Sequence, residues 1–176
     1  VGRPALSVDV EIVDSEDQRQ PRNTIGRIRY RGPAVADGFY ADPEATKESF
    51  KNGWFYPGDL GTMNEEGYLF LKGRSKDMII RGGVNIYPQE IEETLMAHPA
   101  VAEAAVVGWP SKEFNEEIAA FVILKTDVET ADLIRWCNDG LARYKVPKQI
   151  YILNEFPRTS LGKVIKADLS NRLEPL

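Results

Sequence analysis

Lys163 closes the run Pro157-Arg158-Thr159-Ser160-Leu161-Gly162-Lys163, which sets one positive charge behind a glycine turn. A cation fixed on such a turn suits negative charge that develops during a reaction. It is not a phosphate-binding loop of the Walker kind. That loop needs a Gly five residues before the second Gly, and Ser or Thr after the Lys to hold magnesium. Those positions here are Pro157 and Val164. Lys163 is therefore expected to act as a point charge from a turn, without a backbone cradle. Upstream lie Gly58-Asp59, Arg74, Lys76 and the pair Gly82-Gly83. An ionised Asp offers only hydrogen-bond acceptors, which suits it to binding hydroxyls. Taken singly, each has a plainer role: Asp59 a turn cap, Arg74 half of a surface ion pair, Lys76 a linker lysine, Gly82-Gly83 a turn, Lys163 a solvated lysine. His98 precedes Pro99, has no metal partners beside it in sequence, and reads as structural. Trp109 before Pro110 reads as a loop aromatic.

The elements that must position these residues can be read from period and punctuation. Val8, Val10 and Ile12 alternate with Asp9 and Glu11, and Ile25 to Arg31 alternates again, the period of half-buried strands. Asp42-Pro43-Glu44 combines a capping acid, Pro at the first helical position and an acid in the first turn, so a short helix runs to about Phe50. Asn52-Gly53 and Glu66-Gly67 are turns. Tyr68 to Lys72 and Met78 to Arg81 read as strands. Pro88 opens a helix to about Ala97, with Ile91 and Leu95 on one face. Strands follow at 101–107 and 117–124, a helix from Ala131 to about Arg143, a strand at 149–153 and a last helix at 166–173. Cys137 falls in the apolar stripe of the second long helix and reads as packing. The expected fold is α+β: a small, distorted β-barrel-like part, then a compact α+β domain with a central sheet and about three helices.

Composition narrows the function classes. The 176 residues carry a net charge of −5, which argues against a general nucleic-acid binder. Residues 143–176 hold seven Lys or Arg against three acids, net +4, leaving −9 on the rest. A basic tail on an acidic body is expected to meet a small anionic ligand. One cysteine, Cys137, rules out an intramolecular disulfide and fits a reducing cytoplasm. The longest apolar run, Ile118 to Leu124, is far short of the roughly 20 residues of a spanning helix. The abrupt start at Val1-Gly2-Arg3-Pro4 reads as a piece of something longer.

Five stretches in order resemble the AMP-forming adenylating superfamily. They are Gly26 to Tyr40, Trp54-Phe55-Tyr56-Pro57-Gly58-Asp59-Leu60, Gly73 to Glu92, Tyr144-Lys145-Val146-Pro147, and Pro157 to Lys163. The wording Gly82-Gly83-Val84-Asn85-Ile86-Tyr87-Pro88 is most similar to the acyl-CoA synthetase (fatty-acid–CoA ligase-like) branch. Arg27, Pro57, Ser111, Asn115 and Lys166 depart from the usual residues, none of them at a position given a chemical role.

The resemblance implies a division of labour. Residues 1–75 would be the distal β subdomain of the adenylating core, and 76–176 its mobile lid, with the hinge near Lys76. Asp59 and Arg74 would bind the ribose and phosphates of ATP. Lys163 would be catalytic, bridging the substrate carboxylate and the α-phosphate. Gly82 and Gly83 would line the pantetheine tunnel in the second step. ATP, Mg2+ and CoA would serve the full-length parent, with none tightly bound to this part and no metal site within it. The partners would be a carboxylic acid, ATP, CoA and the missing N-terminal core, without nucleic acid or a membrane span. The family's phosphate loop, adenine segment and acyl pocket would precede Val1, so the chain alone is expected to be inactive. An adenylation domain loading a carrier protein is the alternative, disfavoured because no carrier segment follows. A non-catalytic binding module would need none of Asp59, Arg74 and Lys163.

Overall fold

The computed structural model describes all residues from Val1 to Leu176. The chain divides into two compact units, Val1–Lys76 and Asp77–Leu176.

The first unit is a six-stranded antiparallel sheet with one short helix. Its elements are β1 (Asp9–Val13), β2 (Gly26–Arg31), α1 (Pro43–Ser49), β3 (Phe50–Lys51), β4 (Trp54–Phe55), β5 (Asp59–Met63) and β6 (Leu69–Arg74). The alternation in β1 and β2 has a direct use. Val10 faces Tyr30 and Ile12 faces Ile28 across the ladder, while Asp9 and Glu11 face Arg31 and Arg29. The second set forms ion pairs at 2.9 and 2.6 Å. Ile12, Ile28 and Met63 form the small core. One edge of β2 is shared, with Gly26 and Arg27 on β5 and Tyr30 on β4. The sheet therefore branches at β2, and the distorted β part expected from the sequence needs no closed barrel. Asp42 caps α1 as its sequence indicates, accepting from the Ala45 amide at 3.0 Å.

The second unit is a five-stranded sheet flanked by three helices. In order it runs β7 (Ile79–Arg81), β8 (Val84–Ile86), α2 (Pro88–Met96), β9 (Val101–Ser111), β10 (Asn115–Leu124), α3 (Thr130–Gly140), β11 (Gln149–Ile152) and α4 (Lys166–Ser170). Only the β10–β11 pair is parallel. The apolar run Ile118 to Leu124 lies in β10, central to the sheet and covered on both faces. Ile118, Ala120 and Val122 pack with Ile91 and Leu95 of α2 and Leu133 and Cys137 of α3. Ala119 and Phe121 point the other way, onto Leu169 of α4 and onto Phe156 in the segment after β11. A strand buried on both faces loses its polar alternation, which is why this one reads as continuous. Fully burying side chains the size of Ile91 or Leu95 contributes about 1.5–3 kcal/mol each.

Two expectations change here. β9 runs on through Trp109 and Pro110, and Trp109 is buried, its indole N–H donating to the Glu174 carbonyl at 2.6 Å. It is a core residue of the second face, not a loop aromatic. Residues 84–86 form an unforeseen strand that turns Gly82-Gly83 into a hairpin tip.

Candidate functional site

In the first unit, Asp59 begins β5 and Arg74 ends β6, and the two are register partners. Gly58 takes φ +80°, a left-handed turn into β5 that L side chains rarely adopt. The Arg74 Nε–H donates to Asp59 Oδ1 at 3.0 Å, and the Gly58 carbonyl accepts from the Ser75 amide at 2.8 Å. The Asp59–Arg74 pair is partly exposed, so it is worth only about 0–1 kcal/mol. A ligand hydroxyl can therefore replace one of its hydrogen bonds at small cost. Burial, aided by the nearby Asp59 charge, raises the Tyr30 phenol above its ordinary range.

In the second unit, Lys163 sits at the base of a three-residue hairpin. The Thr159 carbonyl accepts from the Gly162 amide at 2.9 Å, and the Thr159 amide donates to the Lys163 carbonyl at 2.8 Å. Gly162 has φ +81°. This is the tight turn with a left-handed residue and a bulge, which is why glycine stands before the lysine. The Lys163 amide also donates to Thr159 Oγ1 at 3.2 Å. Arg158 braces the turn from its flank. One arm donates to the Gly162 carbonyl at 3.0 Å and the other to Glu103 of β9 at 2.5 Å. The Lys163 side chain is exposed and enters no ion pair or hydrogen bond with protein groups, unlike most cations around it.

Those other cations answer the question of the basic tail. Lys145 pairs with Glu90 at 2.7 Å, Lys166 with Glu92 at 2.6 Å, Arg158 with Glu103 at 2.5 Å, and Lys148 approaches Glu117 at 3.7 Å. Four of the seven tail cations are thus matched by acids of the same unit, and the charge asymmetry is largely internal. Lys166, one of the departures from the resemblance, has a defined partner. Glu92 joins it to the β9 backbone, accepting from the Val106 amide at 2.8 Å.

Gly82 and Gly83 form the two-residue turn between β7 and β8, with φ of +56° and +82°. Two successive positive φ angles match the turn favoured by two-residue hairpins, and explain the paired glycines. Lys76 lies in a single 3-10 turn, Ser75–Asp77, at the junction of the two units. His98 accepts from the Ala100 amide at 3.2 Å through Nδ1 and sets its ring edge-on to Trp136, a turn-and-packing role. Burial pushes the Cys137 thiol up to about 11, so it is protonated and inert. No three His, Cys, Asp or Glu side chains gather as a metal group. No helix is long and apolar enough to cross a membrane.

Residues 90–163, from the first turn of α2 to the hairpin lysine, match the family model of the AMP-binding enzyme C-terminal domain. Over these residues the chain is similar to that domain. The chain is similar over 99% of its length to a 2-succinylbenzoate–CoA ligase of Bacillus mycoides, at 40% identity. It is 39% identical over 96% of its length to a long-chain-fatty-acid–CoA ligase of Escherichia coli. Among solved structures, ATP-bound MatB from Rhodopseudomonas palustris superposes with a TM-score of 0.91 and 36% identity, covering 98% of this chain and 35% of that one. The chain spans 36% and 30% of the length of the two ligases. The matched segment thus ends on the Lys163 hairpin, while the Gly82-Gly83 hairpin lies just ahead of it.

Sequence reasoning missed the residues that hold these hairpins: Arg158, Glu103, Arg81 and Glu117. Only position in the fold marks them, since each partner lies more than 30 residues away in sequence.

Proposed function

We propose that this chain works within an AMP-forming acyl-CoA synthetase, which joins a carboxylic acid to CoA through an acyl-adenylate. The observation that carries the reading is Lys163: an unpaired, exposed ammonium on a braced glycine hairpin, in a domain where most other cations are matched. Similarity to ligases named for CoA and to an ATP-bound structure supports the substrates.

In the first step a carboxylate oxygen bonds to the α-phosphorus of ATP. The bond from that phosphorus to the bridging oxygen breaks, and pyrophosphate leaves. Lys163 lies between two anions as they approach and steadies the charge gathering on the phosphoryl oxygens. Asp59 accepts from the ribose hydroxyls, with Arg74 orienting its carboxylate and facing the ribose or phosphates. In the second step the CoA sulfur bonds to the acyl carbon as its proton is lost, and AMP leaves with the oxygen. Gly82 and Gly83 would lie along the pantetheine arm, where the absence of side chains lets a ligand pass close to backbone. Lys76 would be the hinge between the two steps. ATP enters as its Mg2+ complex, and no residue of this chain is assigned to the metal. The buried free thiol of Cys137 suits a reducing, cytoplasmic setting.

The test is a product assay on the full-length protein with ATP·Mg, CoA and a panel of aryl and fatty carboxylic acids. AMP, pyrophosphate and a thioester in equal amounts support the proposal. ADP and phosphate as products, or no acid-dependent turnover across the panel, refute it. Fatty acids being preferred over 2-succinylbenzoate would select the fatty-acid–CoA ligase reading.

A further inference from the structure

Glu117 is the one charged residue of the chain that is buried, at 3% exposure. It lies on β10 just before the apolar run 118–124. Its two carboxylate oxygens accept from Nε–H and Nη2–H of Arg81, at 2.6 and 3.1 Å, and Lys148 stands 3.7 Å from one of them. Arg81 is the last residue before Gly82. The β7–β8 ribbon that carries Gly82-Gly83 meets β10 at a single ladder pair, Arg81 with Asn115. Other ties cluster at the same corner. The Gly82 amide donates to the Phe114 carbonyl at 2.8 Å, the Ile80 amide to Glu116 at 2.6 Å, and the Arg81 guanidinium lies over the Phe114 ring at 4.6 Å.

The base of this ribbon is anchored by Ile79 and Ile86, both buried in the core, but its Gly82-Gly83 tip has one ladder pair, so the direction of the tip depends on what fixes the corner at Arg81. A buried ion pair is a poor choice for stability alone, because apolar side chains of similar volume commonly serve as well or better. Its best-attested use is to fix register. A planar guanidinium held by both oxygens of a buried carboxylate permits one orientation of the Arg81 backbone, and hence of the turn that follows it.

We propose that Glu117 is a positioning residue for the Gly82-Gly83 hairpin: through Arg81 it holds that hairpin in one register against β10, and so serves thioester formation and not adenylation. The functional half rests on the proposed role of the hairpin in the CoA step; the clamp itself does not.

The test has two arms. Hydrogen exchange on this chain, wild type and Glu117→Gln, reads the clamp. Amides of 79–86 should exchange at least 10-fold faster in the variant, with α2 and α3 unchanged. Half-reaction kinetics on the full-length protein read the function. Glu117→Gln should slow thioester formation from supplied acyl-adenylate about 10- to 100-fold, the scale of a small misplacement, with a raised KM for CoA. Acid-dependent ATP–pyrophosphate exchange should stay within about 2-fold. Should Glu117→Gln loosen the whole unit, the apolar pair Arg81→Met with Glu117→Leu restores packing without the ionic clamp. Hairpin amides that stay fast in that pair support the proposal, and full recovery of both protection and the CoA step overturns it. Unchanged hairpin exchange in Glu117→Gln overturns the clamp. A loosened hairpin with an unimpaired CoA step leaves the clamp standing and overturns the role given to Gly82-Gly83.

Discussion

Substitutions at Gly162 separate the geometry of the turn from contact with a ligand. Gly162 has φ +81°, and a Cβ built there meets nothing within 4 Å. The steric cost of a side chain is therefore small, and the backbone cost dominates. An L residue other than Asn or Asp is disfavoured by about 1–2 kcal/mol in the left-handed region. A factor of ten in rate corresponds to about 1.4 kcal/mol. If the strain is released by a change of turn, Lys163 leaves its position, because the Gly162 carbonyl and the Lys163 amide are both bonded within that turn. Gly162→Ala should then slow acyl-adenylate formation about 10-fold in single turnover on the full-length protein. Gly162→Asn should lose at most a few-fold, and Gly162→Val more than Ala, since β-branching aggravates a positive φ. Thermal melts of this chain should fall by no more than several degrees, the scale of a cost of about 1–2 kcal/mol. A loss that follows side-chain size alone, with Asn as harmful as Val, would refute the turn argument and point to direct ligand contact. Free tolerance of Val would remove the requirement for the turn.

Lys76→Pro fixes φ at the junction Lys76/Asp77 and should slow thioester formation more than adenylation, read from the two half-reactions; unchanged kinetics would count against a hinge there. Glu117 gives a pH signature. Its hydrogen bond from Arg81 holds the carboxyl below the ordinary value of 4.5, against the opposing effect of burial. A depressed carboxylate contributes stability above its unfolded value, and that stability is lost as pH falls through the folded one. Wild-type melting temperature should therefore fall more steeply than that of Glu117→Gln as pH drops below 4.5, and parallel curves would contradict the ion pair.

Much of the backbone geometry around the candidate site was legible because glycine records backbone need. Gly58, Gly82, Gly83 and Gly162 each stand where φ is positive, and each flanks or forms a position singled out from sequence. The helices were legible from capping and spacing: Pro88 opens α2, and Ile91 and Leu95 are fully buried. Trp109 was misread because Pro110 signals a break. Pro110 instead sits near the end of β9, opposite Glu116, where the ladder can tolerate it. β8 was missed because three residues after a double glycine carry too little period to register. The basic tail misled for a different reason. Linear charge counting cannot see that Glu90, Glu92, Glu103 and Glu117 lie across from it. The supports of the two hairpins were equally hidden, since Arg158 meets Glu103 55 residues away and Arg81 meets Glu117 36 away.

The central claim is that Lys163 acts on the first half-reaction and is dispensable in the second. Lys163→Ala in the full-length protein measures it directly, with acyl-adenylate formation and thioester formation from supplied acyl-adenylate followed separately. Loss of one preorganised charge should slow adenylation about 10²- to 10³-fold, equivalent to roughly 3–4 kcal/mol, while the second step stays near the wild-type rate. Equal loss in both steps, or adenylation that continues undiminished, would contradict it.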